Sequence, residues 1–175
     1  MRNWILGITA ALLLFIPPGV GYLTAPCDPL TERPLPLNPH RLQQQRFFKQ
    51  GMSLLTDLET VATEIHTIAE RDAPTGMSDA FRRAGRVSDL ATYLDQLHIP
   101  EAPPTYRLLG ERLGQVRDTY SLAAEDLLTY LGNADAVKRE TALEALSLAD
   151  EGRLELQDAI TGLQYPLCEE VWRRE

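Results

Sequence analysis

Two cysteines, three histidines, a cluster of arginines and a row of carboxylates are the side chains of this sequence whose types and spacing could do chemistry. Cys27 and Cys168 stand about 140 residues apart, far from the Cys-x-x-Cys spacing that thiol redox catalysis uses. In an oxidising compartment two such thiols pair, so the sequence predicts a Cys27–Cys168 disulfide that acts as a staple. An intermolecular bridge or modified thiols are the alternatives. Closing so long a loop within one chain stabilises it by up to about 5 kcal/mol, through entropy removed from the unfolded state.

The histidines are His40, His66 and His98. A di-metal carboxylate bundle needs two Glu-x-x-His pairs and two further inward glutamates. The chain offers Asp95-x-x-His98 and His66-x3-Glu70, and neither fits. Both histidines fall near helix ends, where a solvated boundary position is expected. The sequence holds no Cys-x-x-Cys-His for covalent haem, no P-loop and no Gly-x-Ser-x-Gly elbow. The expectation is therefore a non-enzyme, with no catalytic residue, no metal ligand and no cofactor.

Glu140, Glu144, Glu151, Glu155 and Asp158 fall within about 60° of one another on a helical wheel. Such a ridge could attract a divalent cation or a basic partner. Carboxylates spread along one outward face do not converge as a hard-cation site requires, so a solvated face relieved by neighbouring arginines is expected. Leu143 and Leu154 flank the ridge and could mark a partner contact. Arg82, Arg83 and Arg86 form a basic patch that could hold an anion, with Asp79 and Asp89 close enough in sequence to neutralise it.

The compartment these thiols need is signalled upstream. Arg2 precedes an apolar run from Trp4 to Val20, interrupted at Pro17-Pro18, and Gly19-Val20-Gly21 offers small residues for cleavage after Gly21. Residues 1–21 thus read as a cleaved signal peptide or an uncleaved membrane anchor. Trp4 to Leu23 has the length to span a bilayer, although the Pro-Pro pair disfavours a regular helix. Lipidation at Cys27 fits poorly, because Leu23 lies one place too early and Pro26 stands where a small residue belongs. Either leading option places the rest of the chain outside the cytoplasm, in the periplasm, secreted or anchored to the outer face of the membrane.

The formal net charge is −8. That balance opposes phosphate backbones and anionic lipid surfaces, which excludes nucleic acid as a partner. Among the basic residues only Lys49 and Lys138 are lysines, a preference attributed to genome composition. Without the leader about 150 residues remain, enough for one core.

Five prolines between Pro26 and Pro39 make residues 22–38 an extended connector, and Asn38-Pro39 reads as a helix start. Four helical segments follow in residues 39–175. The first, about Pro39 to Arg71, repeats Phe48, Leu55, Ala62 and Ala69 every seven residues, widened by Phe47, Leu54, Val61 and Ile68. The second runs from an N-cap at Ser78 to about His98, with Ala84, Val87, Ala91 and Leu94 on one side. The third, about Pro104 to Leu131, carries the rows Tyr106, Leu113, Tyr120, Leu127 and Leu109, Val116, Ala123, Tyr130. Gly132-Asn133 ends it and caps the fourth, about Ala134 to Gln164. There the expected apolar arc is Thr141, Ala145, Leu148, Gly152, Leu156, Ala159 and Leu163, extended by Ala142, Ala149 and Ile160. Gly51 and Gly152 on apolar faces suggest close helix crossings.

Short connections between long helices imply antiparallel neighbours. The fold expected is all-α: an antiparallel up-down four-helix bundle behind the N-terminal segment and the proline-rich strap. Such a bundle brings Cys27 and Cys168 to one end, in agreement with the staple. The function expected is an exported interaction or scaffold module of the cell envelope that meets another envelope protein, with a ligand-binding, sensor-like bundle as the alternative.

Overall fold

Apolar residues three and four apart stack on one face of a helix and must be covered, and four segments of this chain carry that pattern. The computed structural model describes Cys27 and residues 39–164. The segment 1–21, the remainder of the strap 22–38 and Cys168 lie outside the described residues. The chain divides into two compact units, residues 1–42 with 164–175 and residues 43–163. Helix α1 is Pro39–Ala69, α2 Met77–Gln96, α3 Arg107–Asn133 and α4 Ala136–Leu163, and a 3-10 turn at Pro104–Tyr106 leads into α3. No β-strand occurs among the described residues, and the four helices make a helical bundle. No helix among the described residues is long and apolar enough to cross a membrane.

Helix α1 buries both of its expected rows, from Phe47 and Phe48 to Ile68 and Ala69. Phe47 and Phe48 meet Tyr106 of the 3-10 turn, Phe48 edge-on with ring centroids 4.9 Å apart. Helix α2 buries Val87, Leu90 and Leu94. Helix α3 buries Leu113, Val116, Tyr120, Ala123, Leu127 and Tyr130, while Tyr106 and Leu109 are half-buried against the core. Thr56, Thr60, Thr63 and Thr67 bond the carbonyls four residues back on the outward side of α1, which satisfies hydroxyls that otherwise compete with a helix.

Two caps differ from expectation. Gly76, not Ser78, is the N-cap of α2. Helix α3 continues through Asn133 and ends on Ala134 in the left-handed region, φ 56° and ψ 30°, whose N–H bonds Tyr130 O. Asp135 then caps α4: its Oδ1 accepts from the Val137 N–H at 3.1 Å, the bond that a side-chain oxygen supplies to an orphan first-turn donor.

Helix α4 departs most from its expected face. Its buried residues are Ala142, Leu146, Ala149, Arg153, Leu156 and Ile160. Leu148 is 64% exposed and Leu163 40% exposed, and Ala159 is exposed as well. The true seam alternates spacings of four and three, and Arg153 occupies one of its places. An arginine there hides the pattern from a reading that looks for apolar side chains alone.

Close crossings occur at glycines on apolar faces. A Cβ on Gly152 would stand 3.0 Å from Val116 Cγ2, and one on Gly51 would stand 3.1 Å from Ile160 Cδ1. At Gly110 it would stand 2.6 Å from Ala102 Cβ, an atom fixed to the backbone of the loop before α3. Gly114, one turn further on, has open space at the same position. Gly114→Ala is therefore expected to stabilise the fold by up to about 1 kcal/mol, the helix-propensity gain. Gly110→Ala should cost about 1–3 kcal/mol as the loop is displaced. Urea denaturation of the two variants checks the opposite signs.

Candidate functional site

A guanidinium on the buried face of α4 needs acceptors, and these come from α1 and from α4 itself. Arg153 is 8% exposed. Its Nη1 stands 3.5 Å from Glu59 Oε2 of α1 and 3.4 Å from Gln157 Oε1, and its Nε stands 3.9 Å from Asp150 Oδ1 one turn earlier. Asp150 is the hub. Its Oδ1 accepts from the Tyr120 hydroxyl of α3 at 2.5 Å, and its Oδ2 accepts from His66 Nε2 of α1 at 2.8 Å. Because an ionised carboxylate only accepts, the bond to Asp150 requires a hydrogen on His66 Nε2. Its Nδ1 then faces Glu70 Oε1 at 3.8 Å. Burial, and then the bond to Asp150, push the Tyr120 hydroxyl well above the ordinary tyrosine range.

An aspartate-oriented histidine is half of an acid–base device. Here its other neighbour is a carboxylate, and neither ring nitrogen bonds a serine or cysteine among the described residues. The arrangement can hold α1, α3 and α4 together and keep a charge in the core. His66 is thus not the solvated boundary residue expected from its place near a helix end; it is half-buried and paired across the bundle. Sequence reasoning missed this network because His66 and Asp150 are 84 residues apart. The signal available was Arg153 in an otherwise apolar heptad.

The other singled-out residues are scattered. Cys27 is completely buried, and no free cysteine occurs among the described residues; its expected partner Cys168 lies outside them. His98 is exposed. Among the described residues no three histidine, cysteine or acidic side chains gather to hold a metal ion. Glu140, Glu144, Glu151, Glu155 and Asp158 all face solvent. Arg112 of α3 approaches Glu155 at 3.3 Å. Leu143 is half-buried against the core, whereas Leu154 is 53% exposed.

The arginine patch on α2 is brought together with α1. Arg82 and Arg83 both clasp Asp79, at 2.9 and 2.6 Å. The Arg82 bond first, then the Arg83 bond, hold the Asp79 carboxyl below the usual carboxylate range. Arg86 reaches across to Glu64 of α1, its Nε donating at 2.9 Å, and not to the expected Asp89. With Arg71 these side chains line a cleft of about 320 Å³ between the end of α1 and the start of α2. A second cleft of about 430 Å³ lies between α3 and α4 beside Leu148 and Gly152.

No family model, no curated protein and no solved structure matches this chain.

The network sets a stability ranking. Tyr120→Phe removes one donor and leaves Asp150 bound to His66, so it should cost about 1 kcal/mol. Asp150→Ala strands the Tyr120 hydroxyl and takes from Arg153 one of its two carboxylates, and should cost about 3 kcal/mol. The sign with pH follows from the raised Tyr120 value: the unfolded chain ionises first, so the contribution is whole below about pH 10 and is lost above it. Urea denaturation should find the wild type losing up to about 1.4 kcal/mol per pH unit more than Tyr120→Phe in that alkaline range.

Proposed function

We propose that the protein is an exported helical-bundle module of the cell envelope that acts by binding another envelope protein, not by catalysis. In this reading residues 1–21 direct export or anchor the chain. The helices form an up-down antiparallel bundle behind the proline-rich strap, and a Cys27–Cys168 disulfide closes its two ends. Support for the staple comes from the burial of Cys27 and from the lack of a free cysteine among the described residues. Support for a module without its own chemistry comes from the polar network, in which Asp150 is engaged by Tyr120 and His66 of neighbouring helices.

The observation that carries the binding reading is the outward face of α2. Met77 is 90% exposed and Phe81 82% exposed, one helical turn apart. Single exposed hydrophobes are ordinary. An almost uncovered phenylalanine beside an equally uncovered methionine is the kind of anchor that interfaces bury. A ligand-binding role is the second reading, favoured by the arginine-lined cleft on the same helix.

The full chain should be recovered outside the cytoplasm, where added protease reaches it. Without reductant, its tryptic digest should contain one peptide pair joining Cys27 to Cys168; free thiols at both positions would remove the staple. A photo-crosslinking residue at position 81 should give an adduct larger than the chain in the envelope fraction, and the same probe at Glu144 should not. Recovery of the uncrosslinked chain alone from both positions would overturn the interaction reading.

A further inference from the structure

In a chain of net charge −8, the cleft between the C-terminal end of α1 and the N-terminal half of α2 reverses the sign. Four guanidiniums, those of Arg71, Arg82, Arg83 and Arg86, face two carboxylates, Glu64 and Asp79, which leaves two positive charges uncompensated. The carboxylates set the arginines in place. Asp79 clasps Arg82 and Arg83, and Glu64 takes Arg86. Arg83 is only 13% exposed. Its Nη1 donates to Asp72 O at 2.8 Å, while its buried Nε has no acceptor. The remaining donors of Arg82 and Arg86, together with Arg71, are at the rim: Arg82 is 81% and Arg86 55% exposed.

We infer that this cleft is a binding site for a phosphate-type oxyanion. Guanidinium groups match that geometry bidentately, and a volume of about 320 Å³ admits the anion with part of what carries it. The inference rests on the reading of the protein as a binding module and supplies the chemistry of one of its surfaces. Two sources share that chemistry, a free phosphate group and an anionic lipid headgroup. Phe81 and Met77, next to Arg82 on the outward side of α2, distinguish them. Of these two sources, the bilayer alone offers those side chains an apolar layer to enter while the arginines hold headgroups.

The test uses the full chain and two probes. Inorganic phosphate is compared with chloride at equal ionic strength by thermal unfolding. Vesicles of phosphatidylcholine with and without phosphatidylglycerol are compared by co-sedimentation. The variants are the pair Arg71→Gln with Arg82→Gln, both exposed side chains whose loss leaves the core intact, and the control Arg112→Gln on α3. A free-anion site predicts a rise in Tm with phosphate that the pair abolishes and the control retains. A headgroup site predicts sedimentation with phosphatidylglycerol only, weakened about fivefold per arginine removed, weakened again by Phe81→Ser, and unchanged in Arg112→Gln. Absence of both responses overturns the site, as does a response that survives the pair or falls equally in the control. In either of those cases, an adduct still formed from position 81 upholds the binding module without its oxyanion site, so the two failures are told apart.

Discussion

A guanidinium in an apolar seam is tolerated only where acceptors meet it, and the helical bundle is organised around that requirement at Arg153. The seam of α4 runs Ala142, Leu146, Ala149, Arg153, Leu156, Ile160. Removing an arginine's hydration is costly unless hydrogen bonds and opposite charge replace it. Glu59 from α1 and Asp150 on α4 itself supply the opposite charge, and Gln157 supplies a hydrogen bond to Nη1, while the buried Nε has no acceptor. Asp150 in turn takes Tyr120 from α3 and His66 from α1. One charged side chain thus commits three helices to a single alignment. Sliding α4 by one heptad would set Leu146 or Ile160 opposite Glu59 and carry Arg153 into an apolar layer. Polar groups in a helical seam fix register by this means.

The bundle was legible where apolar side chains carry the signal. On α1 and α3 the seven-residue rows are unbroken, the helices bury them apart from the half-buried Tyr106 and Leu109 at the start of α3, and the ends fall within a few residues of where Pro74, Pro104 and Gly132 lead one to place them. On α4 the helix was legible but its rotation was not. Alanines at 142, 145, 149 and 159 weigh little on any face, so Leu148 and Leu163 drew the expected arc toward solvent. The candidate sites divide in the same way. Asp79 with Arg82 and Arg83 is an i,i+3 and i,i+4 arrangement that sequence spacing dictates. Arg86 with Glu64, and His66 with Asp150, are pairs made by packing, and no local pattern announces them.

The end of the bundle at the α1–α2 turn shows the same dependence on arginine. Helix α1 stops at Ala69 without a glycine in the left-handed position. Arg139 of α4 takes up the exposed carbonyls, its Nε bonding Ala69 O at 2.8 Å and its Nη2 bonding Arg71 O at 3.1 Å. Its guanidinium also lies 5.9 Å from the centre of the Tyr130 ring, within cation–π range. Arg83 performs the matching task from α2, on Asp72 O. Cations at a helix C-terminus meet the negative end of its dipole, so both contacts are favourable beyond their hydrogen bonds. By fastening residues 69–72 they also fix the wall that carries Arg71.

These roles explain why arginine, and not lysine, stands at the structural positions, whatever set the chain's overall preference. Arg139 spans two carbonyls and an aromatic face, Arg83 joins a carbonyl to a carboxylate, and Arg153 meets groups of two helices in the bundle interior. Each task needs several donors held at fixed angles on one plane, which a guanidinium has and an ammonium lacks. Lys138 makes the contrast. It serves one partner, Asp126, through a single 2.7 Å bond at a half-exposed site, where a point charge is sufficient. That bond raises the acidity of Asp126 and lowers that of the ammonium, as expected of a lone pair of opposite charges. Multidentate cations therefore sit where helices must be held relative to one another, and the single lysine bond reinforces one contact between α3 and α4. The cleft at Arg71, Arg82, Arg83 and Arg86 is a place where that multidentate capacity exceeds what its two carboxylates use.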